Sequence, residues 1–282
     1  MYLPISHMRV QAANALVTPS MISPCPIMAA VMFGHALGDT IGCETTGVAI
    51  IHHDAQLRGE RMNPHKRKEF QPHQMRSATY INGKDYANKS NGPTLSLQPV
   101  ALADLEWSII LELSCDGEAG LNAGQIKKLR KRLRGGRLAG GQIVGYSAAD
   151  EAFPALLGKE GAIAKKIGGG HALIDRSDRL IHPERSRLEQ LMKIGTGDRD
   201  VVAEESGFFV PAPMGYAMVT EFEERKGSRE GLPHAFGEIM VGLAEYAGIR
   251  TLGERGFEAQ SLLWRHHWDV DNAAFILSQE SY

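Results

Sequence analysis

Cysteine and long apolar runs are both scarce in this sequence. Its 282 residues contain three cysteines, Cys25, Cys43 and Cys115, which lie far apart and form no C-x-x-C pair. Because the count is low and odd, a disulfide framework is not expected. The cysteines are predicted to be free thiols that serve as small core residues, in a protein of a reducing compartment. The most apolar stretch, residues 27–37, is shorter than the roughly 20 residues that span a bilayer. We therefore expect a cytoplasmic protein with no membrane contact.

An excess of charge of one sign is also missing. Lys and Arg number 31 against 33 Asp and Glu, which gives a formal net charge of −2. The chain as a whole is not a polycation, so any nucleic-acid binding must come from local basic patches. Catalytic and nucleotide-binding motifs are absent as well: Gly158-Lys159 is followed by Glu160 rather than Ser or Thr, and neither H-E-x-x-H nor G-x-S-x-G occurs. We therefore predict no catalytic residues, no metal and no cofactor.

Hydrophobic periodicity predicts alternating strands and helices in the first half of the chain. Strands are expected at 5–17, 46–53, 107–114 and 142–146. Helices are expected at about 26–38, ending at Gly38, and from the N-cap Asn122 to Gly135. This order is the split βαβ arrangement of the α+β ferredoxin-like fold, with residues 1–53 and 107–150 as its core. Both helices would lie on one face of an antiparallel sheet and leave the other face open, as in RNA-recognition motif (RRM) domains.

The second half of the chain, residues 151–282, has a less regular pattern. A helix is expected at 183–194, and a strand at 171–175 directly after three glycines. Two short strands are expected within 207–219, on either side of Pro211-Ala212-Pro213, because proline marks edges and bends of sheets. Further helices are expected at 234–247 and 256–268. We interpret this part as an irregular C-terminal extension that packs on the core and contacts partner subunits.

The strongest local signal for a ligand is the basic segment 127–137. It carries seven basic residues in 11 positions and no acid: Lys127, Lys128, Arg130, Lys131, Arg132, Arg134 and Arg137. Ile126, Leu129 and Leu133 keep helical spacing, so one side of the helix packs while the other is basic. A solvated helix face is the simpler reading, but uncompensated like charges repel one another and favour a polyanionic partner.

The insertion between the second and third strands is a second basic region. It runs over residues 57–92 and is polar, with aromatic residues interleaved among the cations: Arg58, Arg61, Lys66, Arg67, Lys68, Phe70, Arg76, Tyr80, Lys84, Tyr86 and Lys89. Cations neutralise phosphates while aromatic rings stack bases, which is typical of single-stranded RNA binding. A disordered surface loop is the alternative.

Two adjacent histidine pairs, His52-His53 and His266-His267, invite a metal or catalytic interpretation. Adjacent residues on a strand point to opposite faces, and adjacent residues on a helix point about 100° apart. Neither pair is therefore expected to hold one metal ion, and a core or RNA-stacking role is favoured.

Seven short segments carry a resemblance to a known family. They follow one another across nearly the whole chain as Val10–Ala15, Phe33–Leu37, Gly47–His53, Arg137–Gly141, Gly207–Tyr216, Gly242–Tyr246 and Leu263–His267. Together they resemble the Csy-two subunits, which are Cas-five-type RAMP proteins of the CRISPR type I-F surveillance (Cascade or Csy) complex. The opening Gln-Ala-Ala-Asn-Ala of the first strand and the Arg-Leu-Ala-Gly-Gly segment are among the matching motifs.

The resemblance implies a fold, partners and a role in antiviral defense. The fold would be a modified RRM-like one whose insertion, residues 54–106, forms a thumb. The subunit would bind the 5′ handle of the crRNA, pair with the large subunit and cap the filament of backbone subunits. The assembled complex would recognise foreign DNA, a separate endonuclease would hold the 3′ hairpin, and this subunit would not be an enzyme.

On this basis we predict particular site residues. Arg130, Arg134 and Arg137 would contact phosphates, and Gly140 and Gly141 would let the RNA backbone approach closely. Gln11 and Asn14 would read base edges or 2′-hydroxyls. The full set predicted to bind RNA is Gln11, Asn14, Arg67, Arg130, Arg134, Arg137, Gly140, Gly141 and Gln142. Trp264 and His267 would anchor a partner subunit.

Three alternatives stay open at this point. A crRNA-processing endoribonuclease of the same superfamily would cleave repeat RNA by itself and depend on a histidine such as His35. A structural scaffold that barely touches RNA would show no steep salt dependence. A variant complex without the large subunit would give target recognition to this chain.

Overall fold

The computed structural model describes eleven stretches of the chain, which together form a mixed α/β protein with a mostly antiparallel sheet. These stretches are residues 1–18, 21–62, 69–72, 74–82, 93–115, 120–147, 160–180, 184–195, 207–226, 228–254 and 259–279. In none of them is a helix long and apolar enough to cross a membrane.

Strands and helices alternate in the first half, as the sequence pattern predicts. In chain order these elements are β1 (Tyr2–Asn14), β2 (Leu16–Thr18), β3 (Met21–Ile22), α1 (Ile27–Ile41), β4 (Glu44–Leu57), β5 (Gly59–Met62), β6 (Glu69–Pro72), β7 (Gln74–Asn82), β8 (Pro93–Ser114), α2 (Ala123–Arg134), β9 (Arg137–Leu138) and β10 (Gly141–Gly145). The sheet order here is β4-β8-β1-β10-β9, and every neighbouring pair is antiparallel. The units β1-α1-β4 and β8-α2-β10 therefore interleave, since each has a strand of the other between its own two.

Both helices pack on one face of this sheet. Leu3, Ile5, Ile50 and Ile109 are buried there with α1, and Leu129 and Leu133 of α2 join the same core. The fit of α1 is close, because a Cβ added to Gly34 would lie 2.6 Å from a methyl carbon of Val48. The first helix ends at Gly42, which has the left-handed φ of 73° of a helix cap, and not at Gly38 as expected from the sequence.

The opposite face of the sheet is partly covered, contrary to the open face that the sequence led us to expect. A third helix, α3 (Glu160–Ile167), buries Ile163 and Ile167 against Tyr2, Ala49 and Ile110. The reason is visible in β1, β4 and β8, whose outward positions at this end are apolar and need a cover. The surface left open on this face lies further along β1 and on β10.

The insertion forms β-ribbons within its described residues. β7 pairs with the first part of β8, from Gln74 opposite Ala101 to Asn82 opposite Pro93, and β5 pairs with β6. The β7–β8 ribbon thus extends from β8, a strand that also builds the core, whereas β5 and β6 form a separate two-stranded sheet.

The second half adds a curled antiparallel sheet. Its elements are β11 (His171–Asp175), α4 (Arg187–Gly195), β12 (Phe208–Met218), β13 (Gly237–Gly248), α5 (Ile249–Glu254), β14 (Leu263–Asp269) and β15 (Ala274–Ser278). The order is β11-β13-β12-β15-β14, and both outer strands pair with β4: Ala172 of β11 with Ile51, and Trp264 of β14 with Val48. The sheet therefore closes on the free edge of β4.

Two side chains stabilise the seam between β11 and β14. The indole nitrogen of Trp264 donates to the carbonyl of Leu173 at 3.0 Å, and Nε2 of Gln279 donates to the same carbonyl at 3.0 Å. Gln279 Oε1 also accepts from the amide of Asp175 at 2.8 Å. These bonds satisfy backbone groups where the ladder is interrupted.

Three secondary-structure predictions for the second half are wrong. The regions 234–247 and 256–268 contain strands β13 and β14 where helices were expected, because pairing with β12 and β15 overrides a short apolar run that periodicity alone cannot assign. The expected pair of short strands at 207–219 is one strand, β12. Pro211 and Pro213 lie two residues apart, so their missing N–H donors share one edge of the strand, and β15 pairs on that side only from Gly215.

The expectation of three free thiols is also wrong. Cys43 and Cys115 form a disulfide, and Cys25 is free and buried. Each bonded cysteine is next in the chain to one member of the last ladder pair of β4 and β8: Cys43 precedes Glu44, and Cys115 follows Ser114. Strand register, and not sequence spacing, brings them together.

Candidate nucleic-acid interface

The basic helix α2 forms where the sequence predicts it. Asn122 Oδ1 accepts from the amide of Gln125, and Gln125 Oε1 accepts from the amide of Asn122, both at 2.9 Å. This capping box fixes the first turn. Gln125 Nε2 also donates to the carbonyl of Ile41 at 3.0 Å, which ties the start of α2 to the end of α1.

The outer side of α2 lines a cleft. The cleft has a volume of about 700 Å³, and its described lining residues recur three and four apart on one helix side: Ala123, Ile126, Lys127, Arg130, Lys131 and Arg134. The cations are all exposed, while Leu129 and Leu133 on the inner side are completely buried. The helix therefore presents one continuous positive surface, which we call the α2 groove.

Three cations of the α2 groove have no carboxylate partner within the described part of the chain. No ion pair or hydrogen bond there involves the side chains of Lys127, Lys131 or Arg134. The negative end of the helix dipole offsets part of the repulsion among Lys131, Arg132 and Arg134 in the last turn. The repulsion that remains among these cations favours the binding of an external anion.

The glycines after α2 have a structural role that the sequence reading missed. Ala139 (φ 49°) and Gly140 (φ 78°) are the two loop residues of the β9–β10 hairpin, as a turn of type I′ requires. A Cβ added to Gly141 would lie 2.6 Å from the carbonyl oxygen of Gln11 and from the amide nitrogen of Ala13. The lack of a side chain at Gly141 thus admits the backbone of β1, whereas the space around Gly140 is open; the RNA contacts predicted for both glycines stay predictions.

Three predicted site residues lie side by side on the sheet. Gln11 of β1 is opposite Gln142 of β10, and Gln142 is opposite Arg137 of β9. All three are exposed, while their neighbours Val10, Ile143 and Leu138 are buried with the helices. Because side chains alternate along a strand, this polar row faces the other side of the sheet from α2. The single surface predicted from the sequence is therefore two surfaces.

The other residues of the predicted RNA-binding regions differ in exposure and in the hydrogen bonds that their side chains already make. Asn14 is exposed, but its amide closes a local turn, accepting from the amide of Leu16 at 3.1 Å and donating to its carbonyl at 3.3 Å. Arg67 lies outside the described residues. Phe70 of the insertion is 41% exposed on β6.

Of the two predicted partner anchors, one is wrong. Trp264 is 0% exposed and bonded to Leu173 across the seam, so it stabilises the core and is not available to another chain. His267 is exposed on β14, and its role stays a prediction.

The histidines form contacts that sequence spacing did not reveal. His52 and His53 face opposite sides of β4, as predicted: His52 is buried near Trp107 and Tyr246, and burial lowers its pKa to about 4. His266 lies on β14 with its Nδ1 3.0 Å from Nε2 of His35. Within the described residues, no group of three or more His, Cys, Asp or Glu side chains is arranged to hold a metal.

A polar cluster around His7 is a feature that the sequence did not indicate. His7 Nδ1 lies 2.7 Å from Oε1 of Glu106, and its ring stacks on that of His53 with the centroids 4.3 Å apart. His53 Nε2 in turn lies 2.7 Å from Oγ of Ser108. A bulge at His7, which has a φ of 50°, turns this side chain out of the strand alternation, and no sequence motif announces such a bulge.

No family model matches the chain, and no curated protein matches it. The interface is therefore described by its own geometry. The candidate interface comprises the α2 groove on one side of the sheet and the row Gln11, Gln142 and Arg137 on the other.

Proposed function

We propose that this chain is a non-catalytic RNA-binding subunit of a CRISPR type I-F surveillance complex, similar to the Csy-two proteins, and that it binds the 5′ handle of the crRNA. The observation that carries the proposal is the α2 groove, where Lys127, Lys131 and Arg134 lie along one helix side with no carboxylate partner among the described residues. The phosphate backbone of RNA is a polyanion that such a helix can bind.

The interleaved βαβ units support a modified ferredoxin-like, RRM-like fold as part of this proposal. In such folds one sheet face reads RNA, and α3 covers much of that face here. The exposed remainder contains Gln11 and Gln142, whose amides suit base edges and 2′-hydroxyls. Nε2 of Gln142 donates to the carbonyls of Gly136 at 3.1 Å and Ile143 at 3.2 Å, so this side chain would offer its Oε1 to RNA. Phosphate contacts are assigned to α2 and base contacts to this row.

The proposed partners follow from the same resemblance. The chain would pair with the large subunit, cap the backbone filament and take part in DNA recognition only through the assembled complex, in the cytoplasm. The ribbons of the insertion are proposed to be the thumb that grips the junction of handle and spacer.

The test is binding of a fluorescently labelled RNA that carries a repeat-derived 5′ handle, measured by anisotropy over a range of salt concentrations. We expect Lys131→Glu/Arg134→Glu to abolish binding. The control Lys165→Glu/Lys226→Glu reverses two exposed lysines elsewhere, changes net charge equally and should bind as the wild type does. Equal affinity of all three proteins, or a binding constant that does not change with salt, would exclude the proposal.

A guide-processing endoribonuclease is the second candidate, and the His7–Glu106 pair favours it. A carboxylate at Nδ1 orients the imidazole and leaves Nε2 to exchange a proton, as in general acid–base catalysis. This candidate predicts that purified protein cleaves a repeat RNA without metal, and that His7→Ala or His35→Ala stops cleavage. Intact RNA after prolonged incubation favours binding alone.

A further inference from the structure

Exposed apolar side chains concentrate at one end of the curled sheet. Six of the twelve large hydrophobic residues exposed in the described part of the chain lie on the loop joining β12 to β13, on the loop joining β14 to β15, or at the end of β14 beside it: Val219, Phe222, Leu232, Phe236, Trp268 and Val270. Their exposed fractions run from 43% to 78%. Scattered apolar residues are normal on a protein surface, but a cluster of aromatic ones marks an interaction site.

The two loops lie next to each other. β12 pairs with β15, and the amide of Met218 donates to the carbonyl of Ala273 at 2.9 Å. The rings of Phe222 and Trp268 meet edge to face with their centroids 5.9 Å apart. One surface, which we call the aromatic end, therefore combines residues from both loops.

The aromatic end is held in place before any partner arrives. The amide of Phe236 donates to Oγ1 of Thr220 at 2.9 Å, and the amide of Val219 donates to the carbonyl of Phe236 at 2.8 Å. The guanidinium of Arg225 lies over the ring of Phe236, 4.7 Å from its centroid. Ordering these rings in advance lowers the entropy that association must overcome.

Carboxylates outnumber cations in the segments that form the aromatic end. Residues 219–238 and 266–274 together contain seven acidic and three basic residues, a net charge of −4. Glu221, Glu223, Glu224, Glu238 and Asp271 are exposed there. This charge disfavours nucleic acid and anionic lipid, both of which are themselves negative. It complements a protein surface with lysine and arginine around an apolar centre.

We propose that the aromatic end is the docking site for a second protein whose apolar contact surface is bordered by lysine and arginine side chains. This proposal does not rest on the RNA-binding function. The aromatic end belongs to β12–β15, and the α2 groove lies beyond β4, β8 and β1 in the sheet order. The chain is thereby divided into a cationic side for a polyanion and an acidic, aromatic end for a basic protein partner.

Zero-length carbodiimide crosslinking of the full chain in lysate of the cells that encode it, followed by mass spectrometry, tests this directly. The reagent joins carboxylates to lysines only when they are in contact. We expect Glu221, Glu223, Glu224 or Asp271 to be joined to lysines of one other protein. Phe222→Ser/Trp268→Ser should reduce this yield by about tenfold or more, as loss of an interface hot spot does.

Met192→Ser is the matched control, because Met192 is 62% exposed on α4, outside the aromatic end. It should crosslink as the wild type does, and thermal unfolding should show that both variants are folded. Crosslinks to Lys127 or Lys131 of a second copy of this chain would overturn the proposal in favour of self-association. No crosslinks from these carboxylates, or equal yields from both variants, would also overturn it.

Discussion

Cys43 and Cys115 form a disulfide one residue beyond the Glu44–Ser114 pair that ends the β4–β8 ladder, with their Cα atoms 4.5 Å apart. The bond links residues 72 apart in sequence and so encloses the whole insertion in one loop. Sγ of Cys43 also lies 3.7 Å from Nε2 of Gln125, a capping residue of the basic helix. The crosslink is therefore next to the start of α2.

Reduction of this disulfide should destabilise the protein. Closing a loop of this length restricts the unfolded chain by an amount worth about 4 kcal/mol. We expect urea unfolding with a strong reductant to show a loss of that order in the free energy of unfolding. Cys43→Ser/Cys115→Ser should be equally destabilised and insensitive to reductant, and an identical midpoint with and without reductant in the wild type would contradict the assignment.

The two neighbouring glycines of the hairpin should respond differently to alanine. In Gly141→Ala the new Cβ meets two backbone atoms of β1 at 2.6 Å, so a central strand must shift, at a cost of about 2–3 kcal/mol. In Gly140→Ala the space is open and only the left-handed φ opposes the change, at about 1 kcal/mol. Chemical denaturation of both variants measures the difference. Equal costs would mean that β10 does not pack against β1 as described.

The two sides of the sheet should contribute differently to RNA binding. Arg134→Ala removes a cation of the α2 groove, so the slope of log affinity against log salt should become shallower by about 0.7 per lost phosphate contact on a single strand. Gln11→Ala and Gln142→Ala change no charge, and each should leave the slope unaltered while weakening discrimination among handle sequences. Anisotropy titrations with the natural and a scrambled handle separate these effects. A changed slope in the glutamine variants would show that the division is wrong.

His52 should make the protein less stable in mild acid. Burial lowers its pKa in the folded protein to about 4, from 6.5 for an exposed histidine. The stability that neutral His52 contributes is complete above about pH 6.5 and is lost as the pH falls toward 4. In this range His52 binds a proton in the unfolded chain but stays neutral in the folded protein. Between pH 7 and pH 5 this loss is about 2 kcal/mol.

His52→Gln tests the assignment of this pH dependence. Since burial also lowers the pKa of His35 and of His53, the wild type and the variant must be compared at each pH. The slope of unfolding free energy against pH should be shallower in His52→Gln over this range. Parallel curves would mean that His52 is not buried in solution.

Local signals were sufficient for much of the first half of the chain. The Asn122 cap, the apolar spacing of Leu129 and Leu133 and the glycines that follow specify α2 within a dozen residues, and the structure confirms this helix. β4 and β10 were predicted for the same reason, since β-branched or apolar runs end at turn residues.

The features that could not be predicted from the sequence depend on contacts between segments that are far apart in the chain. The Cys43–Cys115 bond needs the register of β4 against β8, and the cover of α3 over Tyr2 needs the outward face of β1. β13 and β14 form strands because β12 and β15 offer edges to them, which no window of local sequence contains. The division of the interface into two sides follows from strand alternation, which is known only once the strands are placed.

Trp264 and Trp268, four residues apart on β14, should differ sharply in their contribution to stability. Trp264 is 0% exposed and donates to the Leu173 carbonyl at the seam, whereas Trp268 is 43% exposed and its ring meets that of Phe222. Trp264→Ala would leave a cavity and remove one of the two side-chain hydrogen bonds to the Leu173 carbonyl, so we expect a loss of about 4 kcal/mol in the free energy of unfolding. Trp268→Ala should cost only about 1 kcal/mol, the value of an exposed ring pair. Urea unfolding compares the two variants with the wild type, and circular dichroism is the probe because both variants lose a fluorophore. Similar losses of unfolding free energy in the two variants would contradict the closure of the sheet on β4. They would also contradict the availability of Trp268 to a partner.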